Sequence, residues 1–162
     1  MRKTAKIICV AAVAAIALAI AGINLFAKEN DPAQYLRIEY KNKPGYNIQL
    51  QKSNRHYTGF LGDDKNNFYL DLFQDGKYFG HSEGPINGIE PISVYQFQQY
   101  ETLVVVFGIN PDLKYHSYSL TVGSTTATPI TAKKDINKDK YILDIYVLDK
   151  KYNGTADLEF SK

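Results

Sequence analysis

TLVVVFGI, residues 102–109, is the most apolar strand-like segment of this 162-residue chain. Side chains of a strand alternate between two faces, and this segment places apolar side chains on both of them. Such a strand has to be covered on both sides. Asn110-Pro111 ends it, because the residue before a proline avoids helical geometry. The segment therefore predicts a central strand with structure packed on each of its faces.

The flanking sequence also favours strands. All 13 tyrosines and seven of the eight phenylalanines follow residue 28, and aromatic and β-branched residues favour half-buried pleated surfaces. Asp75-Gly76 lies between two aromatic runs and predicts a two-residue hairpin turn in which both residues have positive φ. The predicted strands are 35–40, 46–51, 55–60, 68–73, 77–81, 92–98, 102–109, 117–122, 126–132, 141–148 and 155–160. The polar segments between them, 62–67, 83–91 and 133–140, are predicted to be loops.

Many short strands separated by turn residues predict an all-β domain. An isolated sheet cannot cover residues 102–109 on both faces, so a second layer is required. The predicted fold is a two-layer antiparallel sandwich, immunoglobulin-like, preceded by one N-terminal apolar helix. The predicted organisation is a signal-anchor or signal peptide at 1–27, a linker at 28–34 and an extracytoplasmic β-sandwich domain at 35–162.

Residues 7–27, IICVAAVAAIALAIAGINLFA, carry no charge and follow three basic residues. A basic flank before an uncharged apolar run is typical of a segment that enters a membrane, and it predicts that residue 28 onward faces out of the cytoplasm. As a helix the run would be about 31 Å long, which fits a retained anchor. Its alanine-rich composition and Ala27 leave a cleaved signal open. Cys9 is the only cysteine and lies inside the run, so the exported part can form no disulfide.

Charge excludes few classes of partner. The chain has a formal net charge of +2 from 19 basic and 17 acidic residues. Three of the basic residues, Arg2, Lys3 and Lys6, precede the apolar run, so the exported part is close to neutral. No basic patch with interleaved aromatic residues stands out, which argues against nucleic acid as a partner. The sequence predicts no cofactor.

Gly80-His81-Ser82-Glu83-Gly84 matches the G-x-S-x-G pattern of a serine nucleophile. That motif works on a sharp turn from a strand into a helix. The following Pro85, Asn87 and Gly88 predict no helix, so we expect Ser82 to lie at the end of a hairpin. No catalytic residue is predicted.

Two loops resemble weak metal sites. Asp135-Ile136-Asn137-Lys138-Asp139 has the D-x-N-x-D spacing of a calcium loop, but Lys140 stands where the turn glycine belongs and Tyr146 where the closing glutamate belongs. The segment 63–67 is a similar, shorter case. A zinc site needs three or four converging ligands, and the three histidines are far apart in sequence: His56, His81 and His116. No metal site is predicted.

The aromatic residues give the best indication of binding. A cluster of them lies between residues 95 and 118 in a chain without tryptophan, and exposed aromatic clusters mark contact surfaces. The alternative is that they fill a core with their hydroxyls at its rim. The predicted function is a non-enzymatic binding or interaction module with a protein or carbohydrate ligand, and the alternatives are a small hydrolase or metal-dependent enzyme and a structural envelope domain. The candidate binding residues are Tyr95, Phe97, Tyr100, Tyr115 and Tyr118.

Overall fold

The structure, a computed structural model, describes residues 31–88, 92–124 and 128–162. The described residues divide into two units, the first ending at Lys41 and the second running from Asn42 to Lys162. The apolar run at 7–27 lies outside the described residues, so its helix and its membrane role stay predictions. In the described part of the chain no helix is long and apolar enough to cross a membrane.

A short helix in the first unit corrects one strand prediction. Helix α1, Pro32–Glu39, replaces the strand predicted at 35–40. The Asp31 side chain accepts hydrogen bonds from two backbone N–H groups of the first turn, at 3.1 and 3.2 Å. Proline at the first helical position suits the helix start, because its missing N–H would have no partner there. A helix-start signal therefore overrides the β preference of the tyrosine and isoleucine that follow.

The second unit is built from antiparallel strands, and the prediction of a mostly β domain is confirmed. A 3-10 turn, Pro111–Leu113, lies in the connection between Ile109 and Ser117. The described strands are β1 (Asn47–Asn54), β2 (Tyr57–Asp63), β3 (Asn67–Gln74), β4 (Lys77–Pro85), β5 (Ile92–Gln98), β6 (Thr102–Ile109), β7 (Ser117–Val122), β8 (Ile130–Asp135), β9 (Tyr141–Leu148) and β10 (Ala156–Ser161).

These strands form three sheets. Sheet 1 has the order β1-β2-β3-β4, sheet 2 the order β5-β6-β9, and sheet 3 the order β10-β7-β8. All three predicted loops are partly strand, since β2 continues to Asp63, β3 begins at Asn67, β4 continues to Pro85 and β8 continues to Asp135. Sheet 1 is a meander of consecutive hairpins. In the second half of the chain, β5 and β6 belong to sheet 2, β7 and β8 to sheet 3, β9 to sheet 2 and β10 to sheet 3.

Strand β6 is central in sheet 2, and all eight of its residues are buried. Leu103, Val105 and Phe107 face a first core, and Val104 and Val106 face a second one. The buried residues of the first core are Tyr57, Leu61, Phe68, Leu70, Leu72, Leu103, Val105, Phe107, Ile109, Leu143 and Ile145. Those of the second core are Ile92, Val104, Val106, Tyr118, Leu120, Val122, Ile136, Ile142 and Tyr152. Sheet 2 thus contributes to two cores, one on each face of β6.

Two glycines show why the turns form where they do. The predicted hairpin turn between β3 and β4 is confirmed, with φ of 50° at Asp75 and 80° at Gly76. Gly154 is required for a different reason. A Cβ there would lie 2.6 Å from the carbonyl carbon of Gly123, so any larger residue would separate two backbones that exchange hydrogen bonds.

Candidate functional site

The five candidate aromatic residues do not lie on one surface. Tyr95 and Phe97 are partly buried against the first core, whereas Tyr118 is fully buried in the second and Tyr115 packs beside it. All four residues therefore pack in or against one of the two cores. Tyr100 is separate from them, in the turn between β5 and β6.

Tyr100 is the most exposed large apolar side chain among the described residues. Its exposed fraction is 87%, and the next in rank, Ile38, reaches 45%. The turn is closed by the backbone N–H of Gln99, which donates to the carbonyl of Glu101 at 3.1 Å. Tyr100 therefore stands at the tip of a tight turn with its ring in solvent.

The residue after Tyr100 anchors this turn through a group of charged and polar side chains. Glu101 Oε1 lies 2.9 Å from His56 Nε2, and Arg55 Nη1 donates to Oε2 at 3.3 Å. The Tyr57 hydroxyl also bonds Glu101; its burial together with this carboxylate raises the pKa of Tyr57 to about 12. Arg55 reaches Asp149 at 2.5 Å as well. We call Arg55, His56, Tyr57, Glu101 and Asp149 the turn cluster.

The connection from β9 to β10 fixes the same end of sheet 2. Thr102 Oγ1 donates to the carbonyl of Lys150 at 3.0 Å and accepts from the N–H of Tyr152 at 2.8 Å. Gln96 donates its side-chain amide to the carbonyls of Tyr152 and Gly154, both at 3.1 Å. The Gln98 amide also bonds Tyr152. Side-chain bonds thus hold the backbone on both sides of the Tyr100 turn.

A second polar group lies where β1, β8 and β9 meet. Asp144 Oδ1 accepts from Lys52 at 2.8 Å and from Lys134 at 2.5 Å, and its Oδ2 accepts from the Tyr118 hydroxyl at 2.9 Å. The Tyr118 hydroxyl is also 2.6 Å from the Tyr146 hydroxyl. We call Lys52, Tyr118, Lys134, Asp144 and Tyr146 the carboxylate cluster. It links residues from all three sheets.

The electrostatics of the carboxylate cluster favour its ionised state. Burial alone would raise the pKa of Asp144, but hydrogen bonds from Lys134, Lys52 and Tyr118 outweigh this and lower it. Burial would lower the pKa of Lys52, but its bond to Asp144 raises it. Burial and the bonds to Tyr146 and Asp144 raise the pKa of Tyr118 far above its usual range. The Asp144 carboxylate and the Lys52 ammonium group are therefore charged at neutral pH, whereas Tyr118 is neutral.

Sequence analysis missed both clusters. Lys52 and Asp144 are 92 residues apart, so no spacing rule relates them. One signal was available: Asp144 interrupts the apolar strand β9 on the face that it shares with Ile142, where a charge needs a partner. The Glu101 contacts carried no comparable signal.

Ser82 lies within a strand in the structure. It is part of β4 and pairs with Leu70 of β3, and the strand continues past it to Pro85. Turn residues follow, as expected from the sequence. The strand-to-helix turn that activates a serine of this motif is therefore not formed around Ser82.

The two metal-like loops use their carboxylates internally. Asp135 Oδ1 accepts the N–H of Asn137 at 3.0 Å, and Ile136 between them is buried in the second core. Asp64 accepts the Tyr69 hydroxyl at 2.7 Å and two backbone N–H groups of its own turn, and these bonds lower its pKa. Across the described residues no group of three or more His, Cys, Asp or Glu side chains is placed to hold a metal ion.

The histidines lie in three different surroundings. His56 belongs to the turn cluster, whereas His81 Nδ1 is 3.1 Å from the buried carboxylate of Asp71. The backbone N–H of His116 donates to the carbonyl of Ser161 at 2.9 Å, at the edge of sheet 3. The structure does not bring the three rings together.

Comparison with protein-family models, with curated proteins and with solved structures found no match.

Proposed function

We propose that this protein is a non-enzymatic interaction module that binds a protein or carbohydrate partner through Tyr100. One observation supports this proposal above the others. Tyr100 is 87% exposed at the tip of a turn whose neighbouring residues are fixed by side-chain bonds. Covering a large exposed ring with a partner removes apolar surface from water, which favours association. Tyrosine adds a hydroxyl that can form a hydrogen bond with the partner.

Rigidity of the turn makes this position suitable for binding. Association loses conformational entropy wherever a flexible loop must become ordered, so an anchor on a fixed turn costs less to immobilise. Tyrosine is also enriched among the few residues that dominate binding energy. Glu101 carries the fixing contacts directly beside the anchor. The turn cluster thus serves as the support of the proposed contact.

Location is part of the same proposal. We propose that the domain is extracytoplasmic, with an immunoglobulin-like sandwich as the nearest description of its sheets, and that residues 7–27 either anchor it in a membrane or are removed as a signal. A reporter that is active only in the cytoplasm, fused after Lys162, tests this. We expect it to be inactive, and reporter activity would contradict the assignment.

Binding can be tested without a known ligand. Peptides selected from a displayed random library against the full-length protein, together with a glycan array, sample both proposed partner classes. We expect most selected ligands to lose affinity by about tenfold or more with Tyr100→Ala, because an anchor of this kind contributes about 2 kcal/mol. Tyr78→Ala is the matched control, since Tyr78 is another exposed tyrosine, at 40%, on β4. Ligands that respond equally to both substitutions, or to neither, would contradict the proposal.

A further inference from the structure

The carboxylate cluster holds two ammonium groups close together on one oxygen atom. Lys52 Nζ and Lys134 Nζ lie 2.8 and 2.5 Å from Asp144 Oδ1, so the two nitrogens are no further apart than the sum of those distances. Like charges at such a separation repel each other. A single carboxylate between them compensates for one of the two positive charges.

The three ionised groups therefore carry one excess positive charge. The negative charge of Asp139 also helps to raise the pKa of Lys52. Among the described residues, however, Asp139 forms no ion pair with Lys52 or Lys134. The segment from residue 133 to residue 140 carries four lysines and two aspartates. This segment therefore has a formal charge of +2, and positively charged surface concentrates anions from solution.

Exposure differs between the carboxylate and the lysines. The side chains of Lys52 and Lys134 are 42% and 32% exposed, whereas that of Asp144 is 12% exposed. An ammonium group has three N–H donors. The contact with Asp144 uses one donor of each lysine, which leaves donors on the solvent side of the pair. The second oxygen of Asp144 is bonded to Tyr118, so the carboxylate is held in place beneath the two lysines.

We propose that Lys52 and Lys134 form a binding site for a phosphate group, with Asp144 as the positioning residue. A phosphate dianion compensates for more than the excess charge of the cluster, and its several oxygens can accept from both ammonium groups while Asp144 keeps its own bonds. This site is separate from Tyr100 and rests on different observations. It would add a second ligand, of defined chemistry, to the interaction module.

The proposed site also joins the three sheets. Lys52 comes from sheet 1, Asp144 from sheet 2 and Lys134 from sheet 3. A ligand that binds the folded protein and not the unfolded chain raises stability by mass action. Phosphate should therefore raise the melting temperature of the protein, and the increase should depend on its concentration.

The direct test is a titration of the full-length, detergent-solubilised protein with inorganic phosphate, with ionic strength held constant by sodium chloride. Amide chemical shifts in two-dimensional NMR spectra are the readout. We expect saturable shifts centred on residues 52, 134 and 144 of the unmodified protein. Shifts that do not saturate, or that spread over all surface lysines, would indicate general ionic screening and overturn the proposal.

Variants locate the site. Lys52→Met and Lys134→Met should each weaken phosphate binding by about tenfold or more, because each removes a charged hydrogen-bond donor. Lys133→Met is the matched control, because Lys133 is an exposed lysine on the same strand, and it should change affinity by less than about twofold. Equal losses in all three variants would overturn the proposal. The titration of the unmodified protein remains decisive if a variant fails to fold.

One further titration, with dimethyl phosphate, distinguishes the possible sources of the phosphate group. Inorganic phosphate represents a free or terminal phosphate, and dimethyl phosphate represents a phosphodiester within a polymer or a lipid. We expect tighter binding of the dianion, because it carries more charge than the diester. Tyr100→Ala should leave both affinities unchanged, so loss of the phosphate site and loss of the proposed partner contact are distinguishable. Binding of neither compound would overturn the assignment.

Discussion

The two cores of this domain use their tyrosines differently. In the first core, Tyr57 and Tyr141 each bond a carboxylate through the hydroxyl, Tyr57 that of Glu101 and Tyr141 that of the buried Asp63. In the second core, the fully buried Tyr118 bonds a largely buried carboxylate. The carboxylate of the second core is in addition bonded by Lys52 and Lys134, which come from sheets 1 and 3.

This difference separates stability from specificity. Apolar burial stabilises a fold roughly in proportion to area, with no requirement on direction. A buried charge loses its hydration, and only well-placed ion pairs and hydrogen bonds offset that loss. Its net contribution to stability is therefore small and can be unfavourable. We infer that the first core supplies most of the stability. The second fixes how the three sheets are joined and supports the proposed phosphate site.

The largest expected effect tests the apolar core. Phe107 is 1% exposed and meets Phe68 edge-on, with ring centroids 5.8 Å apart. Phe107→Ala should lower the free energy of unfolding by about 3–5 kcal/mol, since it removes apolar contacts and leaves a cavity. Urea unfolding followed by circular dichroism measures this. A loss under about 0.5 kcal/mol would contradict the central position of β6.

A smaller effect is expected in the second core. Asp144→Ala removes the partner of two lysines and of the Tyr118 hydroxyl, and should lower the free energy of unfolding by about 1–3 kcal/mol. The lysines are partly exposed and regain hydration, which keeps the effect below that of Phe107→Ala. Asp149→Ala is the control, because it removes an exposed carboxylate that pairs with Arg55. We expect no measurable change in the free energy of unfolding of Asp149→Ala. Equal losses in Asp144→Ala and Asp149→Ala would contradict the view that the buried carboxylate contributes more to stability than the surface one.

The smallest effect appears only in acid. The pKa of Asp144 is lower in the folded protein than its ordinary value of 3.8, so the stability it contributes is fully present above pH 3.8. That stability is lost as the pH falls through the lower folded pKa. Asp144→Asn cannot titrate, so its unfolding free energy should decline less between pH 5 and pH 2 than that of the unmodified protein.

Asp64→Asn provides the matched comparison in acid. The pKa of Asp64 is also lowered, through its bonds to the Tyr69 hydroxyl and to the N–H groups of Asn67 and Asn66. The unfolding free energy of Asp64→Asn should therefore also decline less in acid than that of the unmodified protein, although Asp64 lies in a turn outside both cores. If Asp144→Asn reproduced the full acid decline of the unmodified protein, Asp144 would not be an ionised partner of the two lysines.

Local sequence was sufficient for β6 and for the turn at Asp75-Gly76. Both depend on properties that neighbouring residues carry by themselves, namely apolar alternation and tolerance of positive φ. Helix α1 was mispredicted although its signal was present. Asp31-Pro32 was interpreted as a linker, and the side-chain cap that starts the helix was missed.

The candidate site could be predicted only in part. Tyr100 was named, but in a group with Tyr95, which packs against the first core, and Tyr118, which is buried in the second. Whether a tyrosine lies in a core or at the tip of a turn depends on strand register, which aromatic content does not reveal. The contact of Lys52 with Asp144 is set by how sheets 1 and 2 meet, and this information is spread over the whole unit.

Sheet 2 has a consequence for how the chain folds as it is made. Strands β1–β4 are adjacent in sequence and can pair as soon as Pro85 has been synthesised. The first core also needs β6 and β9, and β9 ends only at Leu148. The inner face of sheet 1, with Phe68 and Leu72, therefore stays uncovered until the chain has been synthesised as far as Leu148. Exposed apolar surface of this kind promotes aggregation, so a growing chain has to be shielded until β6 and β9 can pack against sheet 1.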